Sequence, residues 1–132
     1  MPSSIHPFLM FQDRQAEEAM RFYASLFADA TILEVVHFGQ EGPGVAGTLL
    51  RGRLSILGRE ILFFDSPVPH AFNFTPAWSF FVECQDETEI DRLYGALVDR
   101  GVALMGLGNH GFSQKFGWVN DRFGVSWQVN LA

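Results

Sequence analysis

Whatever chemistry this chain of 132 residues performs must come from four histidines, one cysteine and a few polar groups set among strand-like apolar runs. His6, His37, His70 and His110 never approach the HxH or HxxxH spacings that put two imidazoles on one face around a metal. His6 shares the alternation of Phe8 and reaches the rim of any pocket there, although a solvated side chain is the plainer reading. His37 in EVVHF reads as a hydrogen-bonded structural residue. His70, near Phe72 and Phe74, suits either a lid or an ordinary loop. His110, between Gly108 and Gly111, reads as mobile loop. Cys84 alternates with Trp78, Phe80 and Val82 beneath a predicted helix, which makes it a buried, inert thiol rather than a nucleophile. No GxSxG elbow exists, and no serine has an obvious base beside it, so nucleophilic catalysis lacks support. Glu83 falls on the other face of that strand with Ser79 and Phe81. It is the weak catalytic candidate, a general base if a proton lies within reach, and otherwise a rim charge.

The stretch NDRFGVSWQVN, residues 120–130, is the most informative. Asp121 and Gly124 suit a tight turn, because the carboxylate can bond the following backbone and glycine adopts a left-handed conformation cheaply. The strand that follows has period two. Val125, Trp127 and Val129 point one way, and Ser126, Gln128 and Asn130 the other. An amide at Gln128 is out of place in an apolar strand unless it faces something that needs it.

Two repeats of one pattern position these residues. HPFLMF reads as a strand, with Asp13 predicted to cap the helix that follows. In QAEEAMRFYASLFA the apolar residues recur at three-four spacing, predicting a helix near 16–27. TILEVVHF, GTLLRGRLSIL and REILFF then supply three strands. The second half repeats the order. WSFFVEC is a strand, Asp86 and Glu89 resemble a capping box, and a helical stripe predicts a helix near 87–99. GVALMG, QKFGWV and GVSWQVN complete it. A slide of about 71 residues superimposes the helices and carries Phe11 to Val82, while a slide of about 66 carries Gly58 to Gly124 and Ile61 to Trp127. The expectation is a single domain: module one at about 5–66, a linker at about 67–76 containing three prolines, and module two at about 77–132.

Composition narrows the classes. Fifteen acidic against nine basic residues give a formal charge of −6, with no basic cluster for nucleic acid. Fourteen phenylalanines and three tryptophans exceed what a small core needs and point to an apolar pocket or a dimer face. One cysteine excludes an internal disulfide. No apolar run reaches membrane-spanning length, and MPSSIHPFLMF lacks the features of a signal peptide, so the expected location is cytoplasmic, with no membrane partner.

The tandem β-α-β-β-β pattern resembles the vicinal oxygen chelate (glyoxalase/bleomycin resistance/dioxygenase) superfamily. AEEAMRFYASLF, GPGVAG, PHAFNFTPAWSFFVEC and GWVNDRFGVSWQV are similar to its PhnB-like branch, labelled 3-demethylubiquinone-9 3-methyltransferase. The resemblance implies an α+β fold: tandem βαβββ modules with pseudo-twofold symmetry, and curved mixed sheets around a cavity. It also implies where metal-binding members keep their ligands, near Phe8, Leu62, Ser79 and Gln128 of this chain. Phenyl and isobutyl groups have no lone pair for a metal, so no cofactor is expected at that place. The methyltransferase label finds no support either, since an S-adenosylmethionine site of the common fold needs a parallel sheet and a Gly-rich strand-to-helix turn.

The leading expectation is therefore a metal-free small-molecule binding protein. Its site is drawn from Phe8, Met10, Phe64, Phe81 and Trp118 with Ser79, Gln128 and Asn130 as polar groups. One alternative is an enzyme acting through Glu83 or a displaced divalent metal on His6, His70 and Asp65. Another is a structural dimerisation module. A homodimer is expected in any case.

Overall fold

The computed structural model describes all 132 residues, which divide into two compact units, Met1–Asn73 and Phe74–Ala132. The first unit runs β1 (Phe8–Phe11), α1 (Ala16–Leu26), β2 (Ala30–His37), β3 (Leu49–Ile56) and β4 (Arg59–Asp65). Its sheet has the order β1-β4-β3-β2, with β1 parallel to β4 and the other neighbours antiparallel. The helical stripe of Ala16, Ala19, Met20, Tyr23 and Leu26 is buried. It covers Leu9, Phe11, Leu54, Ile61 and Phe63, which alternate onto one face of the sheet. Tyr23 and Phe11 lie 5.9 and 6.1 Å from the Phe63 ring. Full burial of each large side chain in such a layer contributes roughly 1.5–3 kcal/mol. Leu57 and Gly58, both at positive φ, close the β3–β4 hairpin in the handedness that a two-residue turn demands.

Asp13 does not cap α1. Arg14 takes a left-handed φ of 59°, and Gln15 precedes the helix with no side-chain cap. The acceptor comes instead from the end of β4: Asp65 Oδ1 accepts from Ala16 N–H at 3.0 Å and Oδ2 from Leu49 N–H at 2.8 Å. With 4% exposure, this carboxylate serves two backbone donors that otherwise have no partner there.

The second unit repeats the order with β5 (Phe80–Glu83), α2 (Glu87–Val98), β6 (Val102–Gly108), β7 (Lys115–Asn120) and β8 (Ser126–Leu131). Its sheet runs β5-β8-β7-β6, and β5 is parallel to β8. Here the local cap exists as expected, Asp86 accepting from Glu89 N–H at 2.8 Å. Both helices stop one residue short of the sequence expectation, because Phe27 and Asp99 are extended. Ile90, Leu93 and Leu97 of α2 are buried, as are Val119, Trp127 and Val129 of the sheet. Trp78 was expected beneath the helix with Phe80. It packs edge-on against the Phe80 ring at 4.7 Å but stays 49% exposed, since β5 begins only at Phe80.

The pairing registers correct one part of the repeat. Phe63 pairs with Leu9 and the equivalent Val129 pairs with Val82, so Leu9, not Phe11, corresponds to Val82. The shift is two residues. Face assignments survive it because strand side chains alternate with period two. No helix is long and apolar enough to cross a membrane.

Candidate functional site: the open sheet faces

Each sheet has one face under its helix and one without. In the second unit the uncovered face forms three cross-strand rows. One holds Ser79, Ser126, Asn120 and Val102, the next Phe81, Gln128, Trp118 and Met105, and the third Glu83, Asn130, Phe116 and Gly108. Neighbouring strands lie ~4.8 Å apart, so members of a row are in side-chain contact range.

The turn before β8 fixes this arrangement from below. Asp121, 4% exposed, accepts from Phe123 N–H (2.8 Å) and Val125 N–H (3.0 Å) with Oδ1, and from Trp127 Nε1 (2.9 Å) with Oδ2. Gly124 takes the left-handed conformation at φ 88°. Trp127 is thereby locked under α2, and the alternation sends Ser126, Gln128 and Asn130 to the open face, as the sequence predicts.

There they enter a chain of neutral hydrogen bonds. Trp118 Nε1 donates to Ser126 Oγ (2.9 Å), the Ser126 and Ser79 hydroxyls share a bond of 2.6 Å, and Gln128 Nε2 donates to Ser79 Oγ (3.2 Å). Gln128 thus has a protein partner in Ser79, which sequence alone did not pair with it. Asn130 Nδ2 donates to Glu83 Oε1 at 2.8 Å. Glu83 is an exposed strand-end charge held by an amide. Lys115, on the helix side, bonds Asp91 instead, so the three rows contain no Lys or Arg.

Beside Gln128 stands an aromatic cluster that the sequence reading only partly found. Phe81 and Phe112 are 55% and 63% exposed, and Phe116 is buried between them with ring centroids at 6.4 and 5.0 Å. His110 is part of it. Its Nε2 meets the Gly106 carbonyl at 2.7 Å and its ring stands edge-on to Phe116 at 6.2 Å, so the flanking glycines do not make it a free loop residue. Phe116 was legible from its alternation with Trp118, whereas His110 and Phe112 arrive through a loop whose path has no period.

The first unit's open face is different in kind. Phe8, 57% exposed, pairs with Leu62, and Met10 pairs with Phe64. The Phe64 ring lies 5.8 Å from Phe8 and 6.2 Å from Phe38. Charges surround these apolar groups: Arg53 with Glu60 (2.6 Å) and Arg51 with Glu34 (3.0 Å). His6 Nδ1 lies 3.3 Å from the Glu60 carbonyl and Nε2 3.6 Å from its carboxylate. Of the eight expected ligand-site residues, Phe8, Met10 and Phe64 lie on this face, and Ser79, Phe81, Trp118, Gln128 and Asn130 on the second unit's.

Nearby, Gln12 organises the proline-rich segment, donating to the Phe72 carbonyl (2.6 Å) and accepting from His70 N–H (2.7 Å). The His70 ring stacks on Phe72 at 4.9 Å and meets Ser66 Oγ at 3.1 Å. A pocket of about 210 Å³ lies between this segment and Arg14, Val45 and Thr48.

Neither metal arrangement fits these residues. In the first unit Phe8 and Leu62 are direct neighbours without a lone pair between them. In the second, Ser79 and Gln128 bond each other. The displaced set fails as well, because Asp65 spends both oxygens on backbone donors, His6 sits on Glu60, and His70 on Ser66. No three His, Cys, Asp or Glu side chains gather in metal-binding geometry. Cys84 is buried, and desolvation, with the Glu89 charge second, pushes its thiol up to about 11, which keeps it protonated and unreactive at neutral pH. His37 is bonded as expected, its Nε2 2.6 Å from Glu17 Oε1.

Comparison with known proteins follows the same lines. A family model described as 3-demethylubiquinone-9 3-methyltransferase matches residues 3–130. A solved PhnB protein from Bacillus cereus, named for the same methyltransferase, is 46% identical over 98% of this chain and 100% of its own, with a TM-score of 0.95. Protein PA1353 from Pseudomonas aeruginosa is 26% identical over 98% of each chain, with a TM-score of 0.82. A glyoxylase/bleomycin resistance protein/dioxygenase domain from Frankia shares the fold at 15% identity, covering 100% of this chain and 98% of its own with a TM-score of 0.65. Comparison with curated proteins gives no match.

Proposed function

This chain belongs to the PhnB-like family that carries the 3-demethylubiquinone-9 3-methyltransferase description, within the glyoxalase/bleomycin-resistance fold, and from that premise we propose that it is a small-molecule binding protein acting without a metal ion. The observation that carries the reading is the open face of the second unit. It combines exposed apolar rings with a few fixed neutral polar groups, the composition by which ligand sites hold and orient small organic molecules. Methyl transfer gains nothing from the residues. The strand-to-helix connections are Gln12-Asp13-Arg14-Gln15 and Cys84-Gln85-Asp86, neither rich in glycine, and both sheets are mixed. Catalysis through Glu83 is disfavoured because its carboxylate is exposed and bonded to Asn130.

The test pairs a chelator with one substitution. Chelation is expected to leave the melting temperature unchanged, since a bound metal would stabilise the native state by mass action. Gln128→Leu is expected to weaken whatever small molecule co-purifies by about tenfold, as loss of a paired polar group does. A large fall in melting temperature on chelation, restored by one divalent ion, overturns the metal-free reading. Unchanged affinity in Gln128→Leu removes that residue from the site.

The exposed rings of Phe72 and Trp78, which the ligand site does not use, also support a homodimer, since an isologous contact can bury what one copy leaves in water. Light scattering that shows a monomer across the micromolar range would exclude it. A cytoplasmic location completes the proposal, and the lone Cys84, with no second cysteine to pair with, is compatible with it.

A further inference from the structure

We propose that the open face of the second unit selects a neutral, planar aromatic lactam, a ring that carries an N–H donor and a C=O acceptor side by side. The inference rests on the small-molecule reading above and adds the chemical class of the ligand.

It follows from counting protons in the polar chain. Ser126 Oγ accepts from Trp118 Nε1, and Ser79 Oγ accepts from Gln128 Nε2. The two hydroxyls share one bond, so one proton is left over; because Ser126 is 1% exposed, it reaches a ligand only when Ser126 donates and Ser79 keeps its own proton free. Gln128 contributes two more unused valences. One amide hydrogen goes to Ser79, while the second hydrogen and the carbonyl Oε1 have no protein partner. Around Gln128 the face therefore presents spare donors beside a spare acceptor, and on the neighbouring row Asn120 Oδ1, buried, has no hydrogen-bond partner either. A hydrocarbon would leave them unpaired, and a simple ether or ketone would meet only the donors. A group that accepts and donates from adjacent atoms meets both.

Ring shape and charge narrow the class further. Phe81 is the direct cross-strand neighbour of Gln128, and Trp118 is its neighbour on the other side. The amide is thus framed by aromatic surface, with exposed Phe81 and Phe112 available for offset stacking. Glu83 is the only ionised group on the three rows, and the chain has a formal charge of −6. An anion would meet repulsion and no counter-charge.

Calorimetric titration of the full chain with three probes tests this: 2-quinolinone, N-methyl-2-quinolinone, which lacks the donor, and 2-naphthoate, which replaces the lactam by an anion. The expected result is saturable binding of 2-quinolinone, with both other probes at least tenfold weaker. Gln128→Leu should reduce the preference over the N-methyl compound to near unity, and Gln128→Met repeats the test with a nearly isosteric side chain should the first variant fold poorly. Phe81→Ala should weaken 2-quinolinone and its N-methyl analogue by a similar factor. Equal affinity for the two quinolinones, or tighter naphthoate, overturns the lactam assignment and leaves the small-molecule reading standing. Preference for 2-quinolinone that survives both Gln128 variants overturns the role of Gln128. No heat from any probe, together with no co-purifying molecule, overturns both the assignment and the reading beneath it.

Discussion

The two units fold the same β-α-β-β-β order and solve its local problems with different residues. In the first, α1 begins on a carboxylate borrowed from the far end of β4. In the second, α2 begins on its own Asp86. The open faces diverge in the same manner, one setting its phenyl rings among Arg–Glu pairs, the other among serines and amides. A repeat preserves what the backbone needs, which is one helix over one sheet face. Everything that the helix does not touch is free to change. The open faces are thus where the two units differ most, while the covered faces show what the fold alone requires.

Substituting the two caps should expose the largest contrast. Asp65→Ala strands two buried backbone donors, Ala16 N–H and Leu49 N–H, each costing about 1–3 kcal/mol when left unpaired. Asp86→Ala removes one exposed cap and should cost about 1 kcal/mol. Denaturant unfolding of both variants measures the gap. Equal losses would mean that water replaces Asp65 at the start of α1, and that the borrowed carboxylate is no stronger a cap than the local one.

A second contrast lies in the glycines that let each helix approach its sheet. Gly52 pairs with Phe63 and Gly117 with Val129, so they occupy the same place in the two units. A Cβ at Gly117 would stand 2.6 Å from the Tyr94 ring, and one at Gly52 2.8 Å from Met20 Sδ and 2.7 Å from Leu49 Cδ2. A ring edge gives way only if the whole Tyr94 side chain swings, whereas the tips of Met20 and Leu49 move by a change of rotamer. Gly117→Ala should cost about 2 kcal/mol, within the range for overpacking, and Gly52→Ala less than half of that. Thermal melts of the pair would reveal it, and the reverse order would show that Met20 is the more tightly held side chain.

Much of this comparison was legible in the sequence. Helix periodicity, Gly58 and Gly124 at the hairpins, and the period-two alternation around Gln128 are signals within a few residues of one another, and the structure reproduces each. The missed features are those that couple distant parts of the chain. Asp13 has the right type and place for a cap, but the left-handed turn at Arg14 carries it past the helix start. Asp65 has no local pattern that announces a cap 49 residues away. Parity put Gln128 on the open face, yet its bond to Ser79 depends on the parallel pairing of β5 and β8, and parallel registers leave no turn residue to read. His110 shows the converse, a loop histidine ordered by a ring on another strand.

The smallest expected effect separates the units by pH. Each ties its helix to its sheet through one carboxylate: Glu17 on α1 hydrogen-bonded to His37 of β2, and Asp91 on α2 paired with Lys115 of β7, both at 2.6 Å. The His37 bond, and after it the Arg21 bond, hold the Glu17 carboxyl below the usual carboxylate range. A carboxyl lowered on folding contributes stability that is present above its unfolded value and is lost as pH falls through the folded one. The Lys115 ammonium is held above its usual range, chiefly by its bond to Asp91, so its contribution is present below the unfolded value and is lost as pH rises through the folded one. The first tie should therefore fail in acid and the second in alkali. Because the Glu17 pair is partly exposed, its share is at most a few tenths of a kcal/mol. Glu17→Gln should be slightly less stable than the parent near neutral pH and match it on the acid side of the carboxylate range. Lys115→Met should match its parent only in strong alkali. Urea midpoints for both variants across that pH span check the signs. A Glu17→Gln deficit that persists undiminished into acid would assign the loss to packing at the start of α1 rather than to charge.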